Sequence, residues 1–361
     1  MLCVLAAVGL FSIVGCVTPA KAAIGERISV SGTDFRAGGK RIWFNGANTP
    51  WHTWNEFGGH YNAGWWDKHF EKLHENGINA TRVWISCNGE VGINIDTNGV
   101  VTGCTPRFWS DVDSLMGSAA KHQVYLMATL LSFDHFKDRH PNHTRWRKLL
   151  TDSGNLDALV AHYVVPFVAR YKDNPWLWSI DLCNEPDWIY ENAECGRISW
   201  KWVQTYVAKA AVAIHTNSRI LVTVGIAMGP KYQSRHRADV FSDAVLQAKA
   251  DGSSLARLDF YAPHHYNWQT RIYGNPFTES PAAYGLDGGK PAVIGECPAT
   301  GTAGRSATQD YEDAYRNGWQ GVLGWTSNGV DGNGGLENLG PATRAFRGNH
   351  SELVSCNRSS P

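Results

Sequence analysis

Two glutamates, each at the end of a short apolar run, are the side chains of this sequence best suited to chemistry. Glu185 stands in Asn184-Glu185-Pro186 after the run 176–182, and Glu296 closes the run 292–295. Cleavage of an acetal C–O bond needs two carboxyl groups, one to protonate the departing oxygen and one to stabilise or attack the carbon. A lone glutamate is usually a solvated surface residue. The prediction of acetal chemistry therefore depends on the two residues together.

Short apolar runs alternate with amphipathic stretches, which predicts parallel strands joined by crossover helices. A small hairpin from Ile28 past Phe35 precedes them. The predicted strands cover residues 42–45, 80–85, 124–130, 177–182, 220–224, 258–262, 292–294 and 322–325. Helices are predicted near 65–75, 108–121, 156–171, 198–216 and 308–317, and a last short helix near Pro341. Eight such strands imply a closed (β/α)8 TIM barrel. An open doubly wound sheet would usually carry a Gly-rich turn after strand one, which Asn45-Gly46-Ala47-Asn48 does not match.

Active sites of such barrels lie at the carboxyl ends of the strands, so the polar and aromatic residues there form one candidate set. Its members are Trp51, His52 and Trp54 after strand one, Arg82 and Trp84 on strand two, Asn184, Glu185 and Trp188 at strand four, His264, His265, Tyr266 and Trp268 at strand six, Glu296 on strand seven and Trp325 on strand eight. A buried arginine needs a carboxylate partner. Glu296 is a natural one for Arg82, and the pair would keep Glu296 ionised, although a purely structural salt bridge is the alternative.

Composition narrows the class of partner. The formal net charge is zero and no basic run is present, so nucleic acid is not an expected partner. Several of the 16 tryptophans fall in predicted loops, where flat aromatic faces could stack on sugar rings; ordinary core anchoring is the alternative. The loop 134–143 contains Asp and His residues but matches no zinc spacing. We interpret it as a solvated loop and expect neither a metal nor a cofactor.

The N-terminus is typical of a secretion signal. Residues 2–17 are nearly all apolar and Ala20-Lys21-Ala22 offers a cleavage site, which predicts a signal peptide at 1–22 and one domain over 23–361. No later apolar run suits a membrane span. Secretion favours disulfides, and Cys87 and Cys104 bracket one predicted loop. We expect these two to pair. The pairing of Cys183, Cys195, Cys297 and Cys356 stays open, and Cys183 and Cys297 could equally be free.

The strand-end residues resemble those of glycoside hydrolase family 5, a family of retaining (β/α)8 glycosidases. The resemblance runs from about residue 28 to about 349, and its motifs are Arg82, Asn184-Glu185-Pro186, His264-x-Tyr266, Glu296 and Trp325. Phe44-Asn45-Gly46-Ala47-Asn48, Arg82-Val83-Trp84-Ile85 and Gly324-Trp325-Thr326-Ser327-Asn328 look like those of animal-type endo-β-1,4-mannanases in that family.

The resemblance implies a role for each residue. Glu296 would be the nucleophile, Glu185 the acid/base, Asn184 the partner of the sugar 2-OH, and Trp325 the floor of the subsite beside the cleaved bond. Arg82, Tyr266 and His264 would support the two glutamates. The other residues of the set would bind substrate, namely Trp51, Trp54, Trp84, Trp188, Trp268 and His265. The expected protein is a secreted, extracellular monomer that hydrolyses internal bonds of β-mannan. The same mechanism on β-1,4-glucan is the first alternative, and a catalytically silent carbohydrate-binding protein is the second.

Overall fold

A computed structural model describes residues 25–355. The predicted signal peptide and Cys356 lie outside these residues. Eight parallel β-segments follow one another around a central core, as the alternating pattern predicted. The segments are Phe44–Asn48, Ala80–Trp84, Tyr125–Ser132, Leu177–Asn184, Leu221–Thr223 with Gly225–Ile226, Ala262–Pro263, Ile294–Pro298 and Gly321–Trp325. They are called barrel strands one to eight below.

The sheet closes into a barrel through short pairings at strand six. Seven strands form a continuous sheet in the order five, four, three, two, one, eight, seven. Gly225–Ile226 pairs with strand six, and single bridges from Tyr261 to Ala292 and from His264 to Glu296 join strand six to strand seven. Strand six is short because Pro263 has no N–H to donate to a ladder. The closing bridge already sets His264 beside Glu296.

Helices surround the barrel, as in a (β/α)8 architecture. Those of six or more residues span Ala63–Glu75, Pro106–His122, His143–Leu150, Ser153–Leu159, Val165–Tyr171, Pro186–Glu191, Trp200–Asn217, Asp243–Ala248, Ala307–Arg316 and Leu336–Asn349. Four-residue helices cover Gly229–Tyr232, Thr270–Tyr273 and Ser351–Val354, and tight 3₁₀ turns cover Phe133–Phe136, Ala193–Cys195, Asn267–Gln269 and Val330–Gly332. Within the described residues, no helix is long and apolar enough to cross a membrane.

Several predicted elements differ from the observed ones. The helix expected over 156–171 contains a wide π-turn at Val160–Val164, next to Pro166. Proline removes one helical hydrogen bond and crowds the carbonyl four residues earlier, which favours such a turn. The helix predicted near Pro341 begins at Leu336, with Pro341 inside it. The N-terminal hairpin is a three-stranded antiparallel sheet formed by Ile28–Ser31, Asp34–Ala37 and Lys40–Ile42.

The N-terminal sheet packs against the barrel through one aromatic side chain. Phe35 is fully buried, and its ring lies 5.1 Å from that of Phe44, 5.4 Å from Trp178 and 5.3 Å from Phe260. Trp178 also stacks on Phe44 and on Phe260. These residues lie on or beside strands one, four and six, at the amino ends of the strands. The sheet therefore covers the end of the barrel opposite the predicted active site.

The expected disulfide between Cys87 and Cys104 is wrong, because both are free thiols. Cys87 is buried just after the carboxyl end of strand two, and the Asn55 N–H donates to its sulfur. Cys104 ends the strand Val101–Cys104, which pairs with Ile93–Ile95 in a separate ribbon. Folding of the intervening segment into this ribbon gives the two cysteines different surroundings, which proximity in sequence could not reveal.

Candidate active site

Glu296 is held at the end of strand seven by two donors. One of its oxygens accepts a hydrogen bond from Arg82 at 2.6 Å, and the other accepts the Tyr266 hydroxyl at 2.8 Å. Glu296 is 4% exposed, and burial raises its pKa, while Arg82 and the Tyr266 hydroxyl act in the opposite direction. Of the two glutamates, Glu296 is therefore the one whose surroundings favour the ionised form.

Glu185 has a different environment at the end of strand four. It adopts a left-handed backbone conformation, φ 47°, immediately before the helix Pro186–Glu191. One carboxyl oxygen lies 2.8 Å from Nδ1 of His264, and the other accepts the Trp188 indole N–H at 3.0 Å. Burial raises the pKa of Glu185 to about 7. At neutral pH this carboxyl group can therefore hold a proton, as a general acid must.

The two carboxyl groups are close to each other. One oxygen of each, together with a ring nitrogen of His264, lie within 4.8 Å of one another. Retaining glycosidases place their carboxyl groups about 5–5.5 Å apart, whereas inverting ones leave about 6.5–9.5 Å for a water molecule. The spacing fits direct attack by one carboxylate. The same three donors could also chelate a divalent cation, although Arg82 already contacts Glu296.

Arg82 connects the site to the barrel core. Its guanidinium donates twice to Asp181, at 3.0 and 2.7 Å, and also to Asn48 and Asn184. Burial acts to lower the pKa of Arg82, but the Asp181 and Glu296 carboxylates outweigh burial and raise it. The guanidinium also lies 4.2 Å from the Trp84 ring centre. Arg82 therefore stays charged and fixes the position of Glu296.

A cleft of about 580 Å³ opens above these groups. Tryptophans from strands one, two and eight form one wall, where Trp51 contacts Trp54, Trp84 and Trp325 edge to face. Charged and polar side chains line the same cleft, namely Asp134, Lys137, Arg139, His140 and Asp331. An open cleft lined by both aromatic and polar side chains suits a polyhydroxylated ligand with flat apolar faces.

Comparison with known proteins agrees with this geometry. The chain is 28% identical to a mannan endo-1,4-beta-mannosidase of Mytilus edulis, covering 87% of this chain and 91% of that protein. It is 26% identical to one of Cryptopygus antarcticus, covering 84% and 85%. The crystal structure of the blue mussel beta-mannanase matches with a TM-score of 0.77 at 25% identity, covering 89% of this chain and 96% of that one. The chain is similar to animal β-mannanases. No family model matches it.

Most of the residues predicted from the sequence meet at this cleft, where the barrel strands of the mannanase-like fold end. Its lining includes Trp51, Trp54, Trp84, Asn184, Glu185, Tyr266, Glu296 and Trp325. Trp188 contacts Glu185 directly, and His264 bridges the two glutamates. Trp268 is 50% exposed and lies outside the cleft lining.

His265, which was predicted to bind substrate, lies outside the cleft lining. This side chain is 1% exposed, and its two ring nitrogens contact the hydroxyls of Tyr284 and Thr270. Successive side chains of an extended segment point to opposite faces. His264 and Tyr266 therefore face the site, while His265 faces the layer behind the barrel.

Sequence reasoning missed two groups of functional residues. Asp181 is the second carboxylate of Arg82, and a lone aspartate within the apolar run 176–182 was the available signal. The loop after strand three was interpreted as solvated, yet Asp134, Lys137, Arg139 and His140 line the cleft. Its position directly after the carboxyl end of strand three was the signal for this group.

Proposed function

We propose that the chain is an endo-β-1,4-mannanase that hydrolyses internal β-1,4-mannosidic bonds with retention of configuration. The observation that carries the proposal is the close pair Glu185 and Glu296, whose surroundings favour opposite protonation states. Two carboxyl groups with separated acidities are what double displacement at an acetal carbon needs. The similarity to animal mannanases over most of the chain supports mannan as the substrate.

The proposed reaction proceeds in two steps. Glu296 attacks the anomeric carbon as the C–O bond breaks, while the Glu185 proton passes to the departing sugar oxygen. The resulting glycosyl–enzyme ester is then attacked by water, which gives a proton to Glu185 as the bond to Glu296 breaks. The second step restores both carboxyl groups to their starting states.

The neighbouring residues support these steps from fixed positions. Arg82 and Tyr266 would hold Glu296 in line with the anomeric carbon, and both contact it at hydrogen-bonding distance. Burial lowers the pKa of His264 to about 4. A neutral imidazole beside Glu185 can therefore orient that carboxyl group without competing for its proton at neutral pH. Trp325 would provide the floor for the sugar beside the cleaved bond.

Internal cleavage is the mode of action that suits the cleft. Its aromatic wall extends from Trp325 to Trp54, which is 38% exposed, so several consecutive sugars could bind. We also propose that residues 1–22 are a signal peptide, that residues 23–361 form the catalytic domain, and that the protein acts as a secreted monomer. The apolar N-terminal run and the cleavage motif support secretion.

Hydrolysis of galactomannan, mannohexaose and soluble cellulose, measured side by side, tests the proposal. Galactomannan viscosity should fall well before much reducing sugar appears, and mannohexaose should yield di-, tri- and tetrasaccharides. Soluble cellulose should be cut slowly or not at all. Rapid cleavage of cellulose with no action on mannan would reassign the chain to the endo-β-1,4-glucanases. Binding of mannan without any hydrolysis would favour the catalytically silent alternative.

A further inference from the structure

The side chain of Asn184 contacts Ser132 on the neighbouring strand, a residue outside the proposed mechanism. Strands three and four run in parallel register with Ser132 opposite Asn184. Nδ2 of Asn184 donates to the Ser132 hydroxyl at 3.3 Å, and its Oδ1 accepts from Arg82 at 2.8 Å. Ser132 is fully buried. The serine therefore contacts Asn184 from behind and does not line the cleft.

The direction of each hydrogen bond in this group is determined. The Ser132 hydroxyl donates its single proton to the Asp134 carboxylate at 2.8 Å, so toward Asn184 it can only accept. Arg82 has only donors. The amide of Asn184 must therefore turn its oxygen to Arg82 and its nitrogen to Ser132. Asp134 is fixed in turn by Lys137, whose ammonium lies 2.8 Å away.

This arrangement decides which group Asn184 offers to a ligand. Its oxygen faces Arg82, and one amide hydrogen is taken by Ser132, so the second hydrogen of Nδ2 is the free polar group. Asn184 lines the cleft beside Glu185. We propose that Ser132 is a positioning residue that makes Asn184 a hydrogen-bond donor toward the 2-hydroxyl of the reacting sugar. The inference rests on the proposed glycosidase function.

Removal of the serine hydroxyl should loosen that donor. In Ser132→Ala the amide keeps Arg82 but loses its second anchor, and Asp134 loses a donor. We expect kcat/KM to fall about threefold to tenfold, the range of one neutral hydrogen bond. Ser179→Ala is the matched control, because Ser179 is a fully buried serine on strand four whose hydroxyl has no hydrogen-bond partner among the described residues.

A double-mutant cycle combined with a modified substrate distinguishes the loss of the Asn184 donor from a general loss of activity. The substrates are an aryl β-mannobioside and its analogue without the 2-hydroxyl on the reacting sugar. Ser132→Ala should slow the first and leave the second near the wild-type value, and it should add nothing in an Asn184→Ala background. Equal losses on both substrates, or independent losses in the double mutant, would overturn the proposal.

Two further variants test whether the loss of activity in Ser132→Ala comes from the missing hydroxyl. Ser132→Thr retains a hydroxyl and should recover most of the activity. If Ser132→Ala does not fold, Ser132→Cys tests the same contact, because a thiol is only a weak hydrogen-bond partner; the loss should again be confined to the hydroxylated substrate. The cycle can use any aryl glycoside that the wild type cleaves. A wild type inactive on every β-glycoside contradicts the proposed function, whereas activity without coupling contradicts only the role of Ser132.

Discussion

The two glutamates differ at the level of single contacts, and this difference assigns their roles. Glu296→Ala and Glu185→Ala should each lower turnover by several orders of magnitude, because each removes an essential chemical step. With an activated aryl glycoside, azide should rescue the Glu296 variant as the inverted glycosyl azide and the Glu185 variant as the retained one. Product stereochemistry by NMR checks this. The opposite products would exchange the roles, and near-normal activity in either variant would exclude this site.

Gly225 leaves room for Arg82 and His264, the two side chains that contact Glu296 and Glu185. A Cβ at this position would lie 2.7 Å from both Arg82 and His264. Gly225→Ala should therefore displace both groups, cost about 1–3 kcal/mol of unfolding free energy and lower kcat more than it raises KM. Gly117→Ala is the control, since Gly117 lies in the helix Pro106–His122 with nothing within 4 Å of a Cβ. That change should leave activity intact and stabilise slightly. Wild-type kcat in Gly225→Ala would show that the pocket can absorb a methyl group.

At the scale of elements, the N-terminal sheet contributes to stability, whereas the candidate active site lies at the other end of the barrel. Phe35→Ala should cost about 3–5 kcal/mol, the range for a buried phenylalanine, with kcat changed little in the folded fraction. Urea unfolding followed by tryptophan fluorescence measures the loss. Val30→Ala is the control because Val30 is 37% exposed on the adjacent strand, and it should stay within about 0.5 kcal/mol. A loss below about 1 kcal/mol in Phe35→Ala would mean that the sheet does not stabilise the barrel.

The strength of the sequence signal explains which elements could be predicted. Strands one to four, seven and eight carry apolar runs, and their carboxyl ends located Arg82, Glu185 and Glu296. Strand six was predicted over 258–262, whereas it pairs only through Ala262–Pro263 and single bridges at Tyr261 and His264, which is too short for any periodicity. The disulfide was wrongly predicted, and the contribution of the loop after strand three to the cleft was missed, for a different reason. Both depend on how an irregular segment folds back, and this is decided by tertiary contacts such as Lys137 with Asp134.

At the scale of the whole molecule, the burial of both glutamates at one barrel mouth determines how activity depends on pH. The mechanism needs Glu185 protonated and Glu296 ionised. Burial raises the pKa of Glu185 to about 7, so activity should fall as the pH rises through about 7. Burial also raises the pKa of Glu296 above its usual value, so the acidic limb should lie above the range of a free glutamate.

The pH profile of kcat/KM for the free enzyme should therefore be a narrow bell on the acidic side of neutrality. Glu185→Gln with an activated aryl glycoside that needs no acid should remove the alkaline limb and leave the acidic one in place. Tyr266→Phe removes a donor to Glu296 that lowers its pKa. The acidic limb should then move upward while the alkaline limb stays near 7. If Tyr266→Phe moved the alkaline limb instead, Glu296 would be the group that carries the proton, and the two limbs would have to be exchanged.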